Sequence, residues 1–285
     1  MDDSTIVIIG SKGQLGTALR KQYPGSRAVD MDELDITSSE AVDAFDWSGV
    51  KYILNAAAYT NVDGAETAEG RAVSWRVNAV GPRNLATAAL AHSMTLVHVS
   101  SDYVFDGTHD PHTETEDYTP LSVYGESKAA GDIAISLAPQ HYILRTTWVI
   151  GEGKNFVRTM LGLAEKGIEP KVVDDQIGRL TFTTELVRSI DHLLRNDAAY
   201  GTYNVTNSGD SKSWADITRE IFRIADQNLQ VTGITTEEYF SDKEGIAPRP
   251  LRSTMDLSKL QATGFESHDW LTDLETYIAK EQQSA

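Results

Sequence analysis

There is no cysteine in this chain, which removes disulfides, thiolate metal sites and cysteine nucleophiles at once. Cations are scarce: 25 Lys and Arg stand against 42 Asp and Glu, a formal net charge of −17. A nucleic-acid surface needs a field of Lys and Arg, and an anionic membrane repels an acidic chain, so neither partner is expected. Long apolar runs are missing too. No stretch approaches the ~20 residues that span a bilayer. The acidic start Met1-Asp2-Asp3-Ser4-Thr5 has the form of neither a secretory signal nor a transit peptide. A cytoplasmic location fits these absences. With no G-x-S-x-G elbow and no H-E-x-x-H pair, hydrolase readings have no footing. What remains is 285 residues at 40% hydrophobic and 24% charged, enough for a core domain with a smaller partner.

Ile6-Val7-Ile8-Ile9 is a short β-branched run and reads as a buried parallel strand. Gly10-x-x-Gly13-Gln14-Leu15-Gly16 follows at once, and Leu15 to Tyr23 continue at helical spacing. Strand, glycine-rich turn and helix in that order suit a dinucleotide pyrophosphate, which needs close backbone approach and a helix N-terminus. Arg27 to Asp30 reads as the second strand, with Asp30 where an acid usually meets the adenosine ribose. That acid repels a 2′-phosphate and favours NAD, while Lys12 offsets it and admits NADP; both cofactors stay open. Asp35-Ile36 precedes Thr37-Ser38-Ser39-Glu40, a capping box with Thr37 as the expected N-cap.

Further strands are expected at Tyr52–Asn55, Thr95–Val99 and Tyr142–Thr146, with helices over Gly81–Ala91, 155–166 and 184–195. Ala56-Ala57-Ala58-Tyr59-Thr60 offers small residues beyond a strand end, where a cofactor can lie against backbone. Tyr203–Thr206 reads as a strand, Trp214–Asp226 as an amphipathic helix capped by Ser213, and Leu271–Lys280 as the last helix. After about residue 207 the β-α alternation decays. The expected fold is α/β: a Rossmann-like doubly wound parallel sheet with a smaller interleaved C-terminal α/β substrate domain. The dinucleotide-binding part is assigned to 1–150 with about 181–206, and the substrate part to 151–180 with 207–285.

Ligands of such sheets bind beyond the carboxyl edge of the strands. Ser101, at a strand end, and the stretch Val123-Tyr124-Gly125-Glu126-Ser127-Lys128 belong to that rim. Tyr124 and Lys128 are four apart, so on a helix they share a face. The spacing predicts an ammonium beside a phenol, which draws the phenol's pKa towards neutrality. Such a phenol exchanges protons with a carbonyl or alcohol near pH 7. Tyr239 and Lys243 repeat the spacing but have no strand-end serine before them, and read as an exposed helix pair. His109-Asp-Pro-His112 reads as two solvated histidines in a polar loop, not as metal ligands.

The glycine turn, Asn55-Ala-Ala-Ala-Tyr-Thr60, Ser100-Ser101-Asp102-Tyr103-Val104-Phe105, Tyr124-Gly-Glu-Ser-Lys128, Arg145-Thr-Thr-Trp148, Asp174-Asp175-Gln176-x-Gly178 and Arg249-Pro250 together resemble the extended short-chain dehydrogenase/reductases. Within them they look most like the dTDP-4-dehydrorhamnose reductase family. The resemblance implies NADPH or NADH as cofactor and a dTDP-linked 4-keto-6-deoxy sugar as substrate. It implies Tyr124 as catalytic acid, Lys128 as its tuning partner and ribose ligand, and Ser101 on the sugar carbonyl, where the family more often has threonine. Asp102 and Trp148 fall at substrate-contacting positions. Gly10, Gly13, Gln14, Leu15, Gly16, Asp30, Asp35, Ile36, Ala58, Tyr59, Thr60 and Val99 fall at cofactor-contacting ones, as do Tyr124 and Lys128. Lys154, Arg179, Arg249 and Arg252 are candidate cations for the substrate pyrophosphate. Some members hold Mg²⁺ at a dimer interface through an acid early in the first helix; that position here is Ala18, so no metal and a monomer or weak homodimer are expected. Two other readings are a cofactor-binding regulator resembling the subunit of eukaryotic methionine adenosyltransferase, and a sister epimerase or dehydratase. A dehydratase wants an Asp-Glu pair after the strand-end hydroxyl, and Asp102-Tyr103 stands there instead.

Overall fold

The computed structural model describes residues 1–284. The run Ile6–Ile9 forms strand β1, buried along its whole length. Ile6 and Ile8 join one apolar cluster and Val7 and Ile9 another, on opposite faces of the sheet. Each buried aliphatic side chain contributes roughly 1.5–3 kcal/mol, so covering both faces of the sheet is the main organising force.

In chain order, α1 (Gln14–Gln22), β2 (Arg27–Val29), α2 (Ser39–Ala44) and β3 (Tyr52–Asn55) come next. Then come α3 (Ala68–Trp75), a π-helical turn at Arg76–Val80, α4 (Gly81–Ala91) and β4 (Thr95–Ser101). Helix α5 (Val123–Ser136) and strand β5 (His141–Thr146) complete this half. The remainder holds β6 (Val149–Ile150), α6 (Phe156–Glu165), β7 (Lys171–Val173), β8 (Ile177–Gly178), β9 (Thr181–Phe182), α7 (Thr183–Arg195) and β10 (Gly201–Asn204). Last are β11 (Lys212–Ser213), α8 (Trp214–Ile224), β12 (Thr232–Ile234), α9 (Thr236–Phe240), α10 (Ser258–Gln261) and α11 (Trp270–Ser284).

The main sheet has the order β10-β5-β4-β3-β1-β2, with every neighbouring pair parallel. Helices α1 and α7 cover one face and α2, α4 and α5 the other. The strand order reverses between β1 and β3, and a doubly wound sheet opens its ligand crevice at such a point. A separate apolar cluster joins α6, α8 and α11 through Val157, Phe222, Trp270 and Leu274. Around it lie two-stranded ladders, β7 with β12 and β8 with β11.

Local details depart from the sequence reading. The N-cap of α2 is Ser38, which accepts from Ala41 N at 3.1 Å; Thr37 instead donates to Asp35 Oδ1 at 2.8 Å. The strand expected at 203–206 is β10, two residues earlier, because its register against β5 pairs Gly201 with Tyr142. His112 is fully buried, stacked on Phe105 at 4.6 Å, so only His109 of that pair is solvated. Among the described residues no helix is long and apolar enough to cross a membrane.

Candidate active site

A cleft of about 400 Å³ runs along the carboxyl edge at the β1/β3 switch point, lined by Gly10, Gly13, Asp30, Asp35, Ile36, Ala58 and Tyr59 among others. The glycine turn is built for close approach. Gly10 has φ +78°, and a Cβ there would stand 2.6 Å from Ala57 N; a Cβ on Gly16 would stand 2.1 Å from Gly10 O. Gly13 is the N-cap of α1 and carries no side chain to occupy the helix's first N–H groups, which leaves them and the positive dipole end turned to an anion. These features fit a dinucleotide: a narrow backbone cradle, unspent donors and an apolar slot for a base. Lys12 reaches Asp32 at 2.8 Å on the surface, while Asp30 braces the turn by accepting from Lys12 N at 2.9 Å.

Other expected cofactor residues are dispersed. Leu15 and Gly16 are buried under the turn, and Thr60 is exposed outside the cleft. Gln14 faces the opposite side of α1, on a groove shared with Ala18 and α11. Tyr59 is held by a residue that sequence reasoning missed: Asn78, in the π turn, accepts from Tyr59 N at 2.9 Å and donates to Tyr59 O at 3.0 Å. A lone polar residue in a helical stretch gives no signal in the sequence.

Ser101 is the last residue of β4, and Tyr124 and Lys128 lie in the first turns of α5 packed against that strand end. Helix α5 begins there because Ser122 caps it, accepting from Gly125 N at 3.2 Å. Gly125 lets the helix close on the β4 turn, since a Cβ would stand 2.2 Å from Tyr103 O. Tyr124 is 9% and Lys128 1% exposed. Burial pushes the Tyr124 phenol up to about 12, against the easing hydrogen bond of Ser101 and with Asp102 and Asp132 pushing the same way. The pKa drawn towards neutrality is therefore not found. Desolvation dominates, and the Lys128 amine donates to Val99 O at 2.6 Å. Burial pushes that amine down to about 8, opposed by Asp132.

Asp102 is also buried. Its carboxylate accepts from Ser101 Oγ at 3.0 Å and from Ser253 Oγ at 2.6 Å, and burial raises its pKa despite both bonds. Ser253 was not anticipated; it ties the C-terminal segment to the rim. Asp132, one turn beyond Lys128, pairs with Arg145 at 3.1 Å with both side chains almost fully buried. Lys128 and Asp132 at helical spacing were the available hint.

Trp148 adopts φ 48°, a left-handed backbone that is costly away from glycine and clusters at functional sites. Its ring stacks on Trp214 at 3.8 Å. The candidate phosphate cations are mostly engaged. Arg249 grips Asp63 at 2.8 and 2.9 Å, Arg179 is buried against Met255 O, and Arg252 lies 3.9 Å from Asp110. Lys154 is exposed.

The profile of the RmlD substrate binding domain family matches residues 4–283. A dTDP-4-dehydrorhamnose reductase of Aggregatibacter actinomycetemcomitans is 39% identical over 286 residues, covering 93% of this chain and 95% of that protein. A crystal structure of a dTDP-4-dehydrorhamnose reductase from Clostridium acetobutylicum, 37% identical, superposes with a TM-score of 0.89 over 97% of this chain and 99% of that one. The Bacillus anthracis dTDP-4-dehydrorhamnose reductase in complex with NADP, 33% identical, gives 0.88 over 97% and 98%. With its glycine turn, its Ser/Tyr/Lys rim and these likenesses over nearly its whole length, the chain belongs to the RmlD family of extended short-chain dehydrogenase/reductases.

Proposed function

We propose that this protein reduces the C4 ketone of dTDP-4-dehydro-β-L-rhamnose to dTDP-L-rhamnose, with NADPH or NADH as the reductant. The observation that carries the proposal is the meeting of the Ser101 hydroxyl and the Tyr124 phenol at the end of β4, with Lys128 one helical turn from Tyr124 and its amine on Val99 O, in a chain whose relatives bear that name. Gly10, Gly13 and the N-terminus of α1 would hold the pyrophosphate, Asp35 and Ile36 the adenosine, and Ala58, Tyr59 and Val99 the stretch towards the reaction centre. When bound, the reduced nicotinamide supplies the hydride for the ketone carbon.

Negative charge then develops on the ketone oxygen. Tyr124 is a donor fixed before that charge appears; Ser101 joins it by turning its single hydroxyl hydrogen from Asp102 Oδ1 to the ketone oxygen. Tyr124 delivers the proton. A phenol held at about 12 keeps its proton throughout the neutral range. It remains a far stronger acid than an alcohol, which holds its proton about as tightly as water does at ~15.7. Transfer to the nascent alkoxide is therefore downhill. The same value makes the phenolate scarce at neutral pH, so the residue suits reduction better than alcohol oxidation. Lys128, at about 8, stays mainly an ammonium near pH 7 and steadies the phenolate left behind. Asp102 fixes Ser101 and, through Ser253, the segment that would close over the sugar; Trp148 would flank the sugar ring. Residues 1–150 with 181–206 would hold the dinucleotide, and 151–180 with 207–285 the sugar nucleotide.

The deciding experiment is NAD(P)H oxidation with the 3,5-epimerase product, beside UDP- and GDP-linked 4-keto sugars. Turnover confined to the dTDP sugar is expected; none with any of them would end the proposal.

A further inference from the structure

The loop that follows Phe105 brings together three side chains that the reduction does not use. His109 Nδ1 lies 3.0 Å from Glu116 Oε1, and His112 Nδ1 lies 2.9 and 2.8 Å from the two Glu116 oxygens. The three ligand atoms fall within 4.8 Å of one another. The far nitrogen of His112 is also engaged: Nε2 lies 3.1 Å from Arg252 O. A carbonyl only accepts, so Nε2 carries the hydrogen. The Glu116 carboxylate also only accepts, so without an ion a proton is held between Nδ1 and Glu116, and a metal would displace it to take the Nδ1 lone pair. A histidine whose outer N–H is fixed on a backbone carbonyl while its inner nitrogen faces a carboxylate is the second-shell arrangement of metal-ligating imidazoles. The ring is also immobilised, buried at 0% exposure and stacked on Phe105.

We propose that His109, His112 and Glu116 form a site for one divalent transition-metal ion of the zinc type. Two imidazole nitrogens and one carboxylate suit Zn²⁺, which takes ligands at ~2.0–2.2 Å and completes a tetrahedron with water; the donors are too few and too nitrogen-rich for Ca²⁺ or Mg²⁺. His109 is exposed, so the fourth position opens to solvent and the ion has an entry path. The competing occupant is a pair of protons shared among the same atoms.

The site's place gives it a role. His112 N donates to Thr254 O and Asp256 N to His112 O, both at 2.8 Å. The loop is thereby stitched to the C-terminal segment that carries Ser253 beside Asp102. A bound ion fastens the loop's outer arm, His109, to that stitch and stiffens the wall behind the rim.

The test is titration of the tag-free, chelator-treated chain with Co²⁺ and then Zn²⁺. One Co²⁺ per chain with intense visible bands of a tetrahedral ion is expected, displaced by Zn²⁺. Zn²⁺ at a hundredfold over its Kd is expected to raise Tm by about 5 °C or more. His109→Ala alters only an exposed side chain, so it folds, and it should abolish the bands and the Tm shift; Glu116→Gln should weaken both. Absence of tetrahedral bands in the wild type, or equal Co²⁺ binding by His109→Ala, overturns the site and leaves the shared protons as its occupants.

Discussion

The chain holds two Tyr-x-x-x-Lys pairs, and the fold treats them in opposite ways. Tyr124 and Lys128 lie in the first turns of a fourteen-residue helix pressed against the end of β4, and both are buried. Tyr239 is 41% exposed on the five-residue α9, which ends before Lys243. Lys243 folds back over the Tyr239 ring at 4.0 Å, a cation–π contact of the kind worth ~0.5–1 kcal/mol in water. At the rim the amine ignores the ring and takes a backbone carbonyl. Spacing brings a phenol and an amine within reach in both places. Only loss of water makes them strong enough electrostatically to do chemistry, and only the rim has a second hydroxyl, Ser101, beside the phenol.

Substitution at the two tyrosines should separate the regions most widely. Tyr124→Phe is expected to lower kcat by ~10²–10⁴-fold with dinucleotide affinity unchanged, as read by NADH fluorescence titration. Tyr239→Phe should leave turnover at the wild-type level. Comparable losses in both would dissolve the contrast.

Ser101→Ala removes one oxyanion donor and should cost ~10²-fold or more in kcat, whereas Ser101→Thr keeps the hydroxyl and should retain most of the activity. The support beneath the rim is next in size. Arg145→Met strands the buried Asp132 carboxylate, and breaking such a pair costs ~3–5 kcal/mol. Urea unfolding should show it, with Arg223→Met, from an exposed pair with Glu220, leaving stability close to that of the wild type.

A further effect concerns Lys128 and has a definite sign. The folded Lys128 amine loses its proton near 8 and the unfolded one near 10.5. Between those values the unfolded chain binds more protons, so stability rises with pH, by up to ~1.4 kcal/mol per unit. Below pH 8 the burial penalty is in full force. Lys128→Met should therefore be the more stable protein at pH 7, reduced somewhat by the partnerless Val99 carbonyl, and the difference should shrink towards pH 10. Equal pH slopes for wild type and Lys128→Met would mean that the amine is better hydrated than its burial implies.

Much of the site was legible because its elements are local. Strand, glycine turn and helix at 6–22 are written in consecutive residues, and so is the four-residue spacing of Tyr124 and Lys128. What escaped is non-local. Asn78 reaches Tyr59 across nineteen positions, Ser253 reaches Asp102 across 151, and Arg145 meets Asp132 only because β5 lies beside β4 under α5. Burial escaped too, and burial set the sign of the Tyr124 shift and turned His112 from a solvated side chain into a fixed one.

By itself the sequence determined the order of β and α elements, the backbone cradle at Gly10, Gly13 and Gly16, and which hydroxyl, phenol and amine could meet at a strand edge. These rest on periodicity and on residues whose lack or shape of side chain acts over a few neighbours. The tertiary structure alone decided which of the two tyrosine–lysine pairs loses its water, where each carboxylate finds a partner, and which nitrogen of His112 faces Glu116. Desolvation depends on everything packed around a group, and that is a property of the folded chain rather than of any stretch of it.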